Sequence, residues 1–186
     1  IQIPVPPLEE QQRIVSILDS AFANIKQSTI QLQAKLEFST NIYSSQIKRI
    51  FSDVDGTWVK TKLGELSEVK SGGTPLRSIK DYWSGSIPWY SSGELHDTFT
   101  VEPNRYITNS GLENSNAKKF PKGSLLIGMY DTAALKMSIL DREGTFNQAI
   151  AGVKPDPDID MRFLLHAIND VKPVSYTHLR AHETRP

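Results

Sequence analysis

The sequence contains no cysteine. That excludes a disulfide scaffold and any thiolate metal site, and it fits a cytoplasmic protein. No apolar run approaches the length of a membrane span, so no membrane partner is expected. Neither charge is in excess, since 21 Lys and Arg stand against 21 Asp and Glu. Neutrality argues against coating a polyanion through the whole surface and leaves only a localised patch for that task. Histidine is scarce: of four in the chain, His178 and His182 fall in the last stretch. His96 and His166 have no partner at a metal-ligand spacing, so no metal site is expected. The loops G-x-G-x-x-G and G-x-x-x-x-G-K-[ST] are missing, and Gly72-Gly73 matches neither, so no cofactor is expected on this chain. Asp97, Asp131, Asp141 and Glu143 have no spacing that demands a nuclease-type carboxylate pair, and read as solvated loop carboxylates. Asp156, Asp158 and Asp160 alternate without the glycine and closing glutamate of a calcium loop, and read as a helix lead-in. No secretory signal is seen. The chain begins Ile1-Gln2-Ile3-Pro4 without methionine, as expected of a start inside a longer protein.

What is present divides into segments. Residues 1–7 are extended and rich in proline, and Pro7 suits the first helical position, with Glu9 and Glu10 favourable in the first turn. From 8 to 50 there is neither proline nor glycine. A seven-residue pattern fits this stretch. One seam position is filled by Leu8, Val15, Phe22, Thr29, Leu36, Tyr43 and Ile50, and the other by Gln11, Leu18, Ile25, Leu32, Ser39 and Gln46. Alternate steps of three and four place these on one stripe of a helix. Such a helix is roughly 60 Å long and cannot bury its own stripe. Ile14, Ile17 and Ala21 widen the apolar face, which suggests more than one partner surface. The alternative is a helix pair broken near Ser39-Thr40-Asn41. The polar stretch 51–57, with Gly56, is the expected linker.

Residues 58–172 read as a separate mixed α and β domain with long loops. The expected strands are 58–60, 66–70, 124–129 and 136–140, with a further one at 149–153. Lys122-Gly123 marks a turn. Residues 158–169 read as a helix whose Met161, Leu164, Leu165 and Ile168 share a face, widened by Phe163 and Ala167. Residues 173–186 break the preceding pattern and read as a non-native read-through tail.

Two constellations in this domain carry candidate binding chemistry. In the first, Gly72-Gly73 permits a close backbone approach. Thr74, Ser91 and Ser92 offer hydroxyls, and Arg77 and Lys80 add positive charge. These are the groups that contact phosphate. Trp83 and Trp89 read as anchors that pin the loops to the core. In the second, Tyr130 and Lys136 precede Asn147-Gln148. Asn and Gln can pair with adenine, and Lys can read guanine. A capping or turn role for Asn147-Gln148 is the alternative.

The combination resembles a known family. Pro6-Pro7-Leu8-Glu9-Glu10-Gln11-Gln12-Arg13-Ile14 is similar to the junction where a target-recognition domain enters a long helix in Type I restriction-modification DNA specificity subunits. Trp58-Val59-Lys60-Thr61-Lys62-Leu63-Gly64-Glu65-Leu66 resembles the opening of the next recognition domain. Gly72-Gly73-Thr74-Pro75 and Trp83-Ser84-Gly85-Ser86-Ile87-Pro88-Trp89 resemble its early signature. Residues 120–127 and Phe146-Asn147-Gln148-Ala149-Ile150 resemble its later one. The family's glycine-rich stretch after the later strand is replaced here by 129–134.

The resemblance implies an α+β architecture, with a long coiled-coil-forming helix followed by a mixed α/β target-recognition domain. It implies that 1–7 end a preceding recognition domain, 8–50 form a spacer helix, and 58–172 form a truncated recognition domain. It further implies a non-catalytic subunit that reads one half of a bipartite site on double-stranded DNA. Its helix, through Val15, Leu18, Phe22, Ile25, Leu32, Leu36 and Tyr43, would pack against a second long helix and dock the methyltransferase (modification) subunits. S-adenosylmethionine, ATP and Mg2+ would belong to those subunits and to a restriction subunit. A recognition region fused to its methylase or nuclease, and a coiled-coil protein that binds no DNA, are the alternatives.

Overall fold

The computed structural model describes residues 2–52, 56, 58–130 and 133–171. Asp131, Thr132, most of the 51–57 stretch and residues 172–186, which include His178, His182 and the expected tail, lie outside the described residues. The chain forms two compact units, Ile1–Ser52 and Asp53–Pro186.

The first unit is one helix, α1 (Leu8–Ser52), of 45 residues and about 68 Å. Its start is set by the prolines. Pro7 lies just outside it, its carbonyl accepting from the Gln11 backbone N–H at 3.1 Å. The Gln11 side-chain amide donates to the Pro6 carbonyl at 2.7 Å, so this polar seam position ties down the lead-in. The helix runs unbroken through residues 39–41. Its hydroxyls turn back onto their own helix: Thr29 donates to the Ile25 carbonyl and Thr40 to that of Leu36, both at 2.9 Å. Such back-bonding satisfies a hydroxyl without a partner chain. No residue of α1 is buried.

The second unit opens with α2 (Leu63–Leu66), followed by β1 (Val69–Ser71). The expected strand at 58–60 is not a strand, and the expected 66–70 strand begins later, at Val69. Glu65 is the reason. Its carboxylate accepts from the Thr61 hydroxyl at 3.0 Å and the Lys62 backbone at 3.4 Å, which closes a helical turn over residues that propensity alone leaves open. Then come β2 (Trp83–Tyr90), β3 (Arg105–Ile107), α3 (Asn109–Glu113), β4 (Leu125–Gly128), β5 (Met137–Ile139), β6 (Thr145–Phe146), β7 (Ile150–Val153) and α4 (Met161–Asp170).

The strands form two sheets, one ordered β1-β7-β4-β5 and antiparallel throughout, the other ordered β3-β2-β6. In the second sheet β2 runs antiparallel to β3 and parallel to β6. β4 is buried on both faces. Leu125 and Ile127 join a cluster with Val153, Met137, Ile139 and α4's Met161, Leu164 and Leu165. Leu126 points the other way, into a cluster with Tyr90, Phe120, Phe146 and Ile150. A strand covered on both sides reads as a continuous apolar run, which is why 124–129 was recognisable. A third cluster, Ile87, Trp89, Ile107 and Ala117, lies on the second sheet.

α4 starts at Met161, later than the expected 158, because Asp160 caps it. The Asp160 carboxylate accepts from the backbone of Arg162 at 2.7 Å and Phe163 at 3.1 Å, and these bonds hold its pKa below the ordinary aspartate value. Phe163 faces outward, its ring edge-on to Trp58 at 5.9 Å. No helix among the described residues is long and apolar enough to cross a membrane.

Candidate nucleic-acid interface

Two close approaches bring the distant constellations together, and both need glycine. A Cβ on Gly72 would stand 2.1 Å from the Phe146 carbonyl oxygen, and one on Gly73 would stand 2.2 Å from the Asn116 carbonyl carbon. Their bare backbones therefore fit against β6 and the 116–117 segment. The Gly72 N–H donates to the Ile150 carbonyl at 3.2 Å and the Gly73 N–H to that of Phe146 at 2.9 Å. One residue further on, the Thr74 hydroxyl meets the Gln148 side-chain oxygen at 2.6 Å. The Asn147 N–H donates to the Tyr90 carbonyl at 3.0 Å, and the Met129 N–H to that of Ala149 at 2.9 Å. Four chain segments, 72–74, 90, 129 and 146–150, thus converge on one edge of the second unit.

The sequence-predicted residues divide on this frame. Gly73 is buried and structural, Thr74 is half-buried, and Gln148 and Tyr130 are exposed. Ser92 and Lys136 are half-buried. Asn147 turns its side-chain oxygen inward to the Ala149 N–H at 3.1 Å, so it stabilises its own turn. The Ser91 hydroxyl donates to Glu94 at 2.6 Å, and the same carboxylate accepts from the Ser91 N–H at 2.8 Å. Burial pushes the Glu94 pKa up, but bonds from Asn104 and Ser91 outweigh it and hold it below the ordinary glutamate value. Arg77 and Lys80 lie on the excursion between β1 and β2 and are exposed.

Trp83 and Trp89 do pin a loop, but from within a strand. Both belong to β2, a strand absent from those expected of the sequence. The Trp89 indole N–H donates to the Gly73 carbonyl at 3.0 Å, and that of Trp83 to the Leu76 carbonyl at 3.2 Å. The rings meet at right angles, 5.2 Å apart. One strand therefore holds both ends of the 73–76 loop.

Two of the carboxylates considered for catalysis are engaged separately. Asp141 accepts from Thr100 and Arg142, and Glu143 pairs with Lys119. No His, Asp or Glu group among the described residues is placed to hold a metal ion. Arg77, Lys80, Arg105 and Lys136 have no carboxylate partner among the described residues, whereas Lys70, Lys119, Arg142 and Lys154 do. Arg105 escaped the sequence reading. Nothing local marks it, because its setting depends on the β2–β3 pairing.

Among the described residues, two that are not glycine adopt the left-handed backbone region, Ser84 at φ 61° and Leu135 at φ 55°. Such a conformation costs about 1–3 kcal/mol and concentrates at functional sites. Leu135 lies two residues before β5, and its N–H donates to the Gly128 carbonyl at 2.8 Å.

Comparison with known proteins agrees with this architecture. The family model described as the Type I restriction modification DNA specificity domain matches residues 1–37 and 55–179. A Type I restriction enzyme specificity subunit of Escherichia coli is 30% identical over 183 residues, covering 90% of this chain and 43% of that protein. One from Methanocaldococcus jannaschii is 26% identical over 135 residues, covering 71% of this chain and 30% of that one. The HsdS subunit of Thermoanaerobacter tengcongensis has the same fold, with a TM-score of 0.56 at 18% identity, covering 91% of this chain and 42% of that chain. The chain spans less than half the length of these relatives. It belongs to the family of Type I restriction-modification DNA specificity domains.

Proposed function

We propose that this chain is part of the sequence-specific DNA recognition subunit of a cytoplasmic Type I restriction-modification complex. The second unit reads one half of a bipartite site on double-stranded DNA. The observation that carries the reading is the convergence of the 72–74, 129 and 146–150 segments on one edge, with Gln148 and Tyr130 exposed there. Side chains from loops held on two sheets can reach base edges, while hydroxyls and unpaired cations beside them meet phosphate.

The first unit supports the second half of the proposal. An isolated 45-residue helix with no buried residue leaves its apolar seam to another chain or segment. A second long helix along that seam makes a rod of fixed length, and the rod sets the distance between half-sites. The same surface docks the methyltransferase subunits, and the restriction subunit joins through the assembly. The chemistry, with S-adenosylmethionine, ATP and Mg2+, resides in those partners.

Methylation mapping with the intact gene and its partner subunits tests the reading. Exchanging residues 58–171 for those of a relative with a different site should change one half-site and leave the other. Methylation that ignores the exchange would end it.

A further inference from the structure

Arg77, on the excursion between β1 and β2, and Arg105 of β3 are both exposed and share one cleft. Arg77, Trp83, Ser84, Gly85, Arg105 and Tyr106 line an open groove of about 570 Å³. A break in β2 makes it. Both Trp83 and Ile87 register against Ile107 of β3, so the residues between them bulge out of the ladder. Ser84 sits in that bulge with its left-handed backbone. Gly85 lies close against β3, where a Cβ would stand 2.3 Å from the Ile107 carbonyl oxygen. Bulges of this kind re-aim side chains beside binding sites.

We propose that this groove is a phosphate clamp for the DNA backbone, with Arg77 and Arg105 as its cationic arms, separate from the loops that read bases. The proposal rests on the DNA-binding reading and adds to it a sequence-independent anchor. Arg105 is held in advance: its guanidinium lies over the Trp83 ring, 5.9 Å from the centroid. Trp83 is held in turn by Trp89 and by its bond to the Leu76 carbonyl. A guanidinium over an indole face at cation–π distance keeps its planar fork of donors for a phosphate and loses some freedom before binding.

The nearby acids do not neutralise it. Glu102 is bonded to Arg142 and to the Tyr106 hydroxyl, and Glu94 to Ser91 and the Asn104 backbone. Because Arg105 and Trp89 already engage the Trp83 ring, that ring serves as a platform for the guanidinium rather than for an extruded base. Two cations and the Ser84 hydroxyl match a phosphate, and the strained backbone at Ser84 fits a residue held for contact.

The test uses the full-length subunit assembled with its modification subunits, titrated with salt against duplexes that contain or lack its site. Arg77→Gln and Arg105→Gln should each weaken binding to both duplexes by the same factor. Each should reduce the slope of log affinity against log salt by about one, and the pair by about two. The methylated sequence should not change. Arg105→Lys should keep the wild-type slope while losing part of the affinity. A double variant with an unchanged slope, in a complex that binds DNA as wild type, would overturn the clamp. So would a loss confined to the duplex containing the site, or a loss of modification subunit with the slope intact. A wild-type complex that bound neither duplex would overturn the parent reading and the clamp with it.

Discussion

Thr74 and Gln148 lie 74 residues apart and are joined by a 2.6 Å hydrogen bond between their side chains. Behind it stand two backbone rungs, from Gly73 to Phe146 and from Gly72 to Ile150. The 72–75 and 146–150 segments are therefore one surface. The side-chain bond is its exposed outer rung, and it fixes which way the Gln148 amide points.

Thr74→Val should release that amide while leaving the backbone rungs in place. An exposed neutral hydrogen bond contributes about 0.5–1.5 kcal/mol, so the fold should hold. Binding to the cognate duplex should fall by less than about tenfold, whereas Gln148→Ala should cost about 1–3 kcal/mol there if the amide reads a base. Competition between cognate and single-mismatch duplexes checks both. Equal losses on all sequences would take Gln148 out of base reading.

Gly72→Ala and Gly73→Ala should be more damaging than any substitution at the exposed residues. The added methyl meets backbone atoms at 2.1 Å and 2.2 Å, and backbone cannot step aside as a flexible side chain can. Overpacking of this kind costs about 1–3 kcal/mol or more. Urea unfolding followed by far-ultraviolet circular dichroism should show both variants destabilised, with Gly93→Ala as a control near wild type, since its added carbon meets nothing closer than 3.9 Å.

The contrast between what the sequence reveals and what it hides has a physical source. The helix α1 is legible because 43 residues without proline or glycine carry one repeating stripe. Strands β4, β5 and β7 are legible because burial makes them apolar runs. Strand β2 is not, since Gly85, Pro88 and the serines at 84 and 86 read as loop. Its signal lies in parity: Trp83, Ile87 and Trp89 all fall on one face. Pro88 is tolerated because β6 pairs only with Trp89 and Tyr90, so no ladder bond is required of it on that side. Once β2 is missed, Arg105 is missed with it, because only the β3 pairing brings that side chain over Trp83. The Thr74–Gln148 bond leaves no local trace at all.

Trp83 and Trp89 should separate on substitution. Trp89→Phe removes a donor from the buried Gly73 carbonyl and leaves a void in a residue that is 1% exposed. The combined loss should be about 2–4 kcal/mol. Trp83→Phe removes a bond that lies at the surface and should cost about 1 kcal/mol in stability. Thermal unfolding of the two variants, compared side by side, reads this ordering, and a reversed order would refute the buried anchor.

Glu68 gives the second unit an acid-sensitive contact across β1 and β7. Hydrogen bonds from Lys154, at 2.6 Å, and from Lys70 lower its pKa from the ordinary 4.5 to about 2. A carboxylate depressed in the folded state stabilises above its unfolded pKa, and that contribution is lost as pH falls toward the folded value. Stability should therefore decline between about pH 4.5 and pH 2. Glu68→Gln should be less stable than wild type at neutral pH, modestly because the pair is solvated, and should converge on wild type near the acid end of that window. Parallel urea titrations would reject the contact if the two curves kept a constant separation.

The seam of α1 sets the last expectation. Leu18, Ile25 and Leu32 are 47%, 61% and 65% exposed, and they fall seven residues apart on one stripe. Burying one such side chain fully stabilises by about 1.5–3 kcal/mol. A helix alone obtains none of this, so the gain is available only to whatever packs along the stripe. A charged group placed there forfeits the gain and must also be desolvated against the partner. Leu18→Asp, Ile25→Asp and Leu32→Asp, introduced singly into the full-length subunit, should each prevent co-purification of the modification subunit. A charge at Gln33, off the seam, should not. The second unit should keep its own unfolding transition in all of them, because its core is built from residues after Asp53. If the three seam variants assembled as wild type does, the helix would not be a packing rod, and the spacing of half-sites would need another cause.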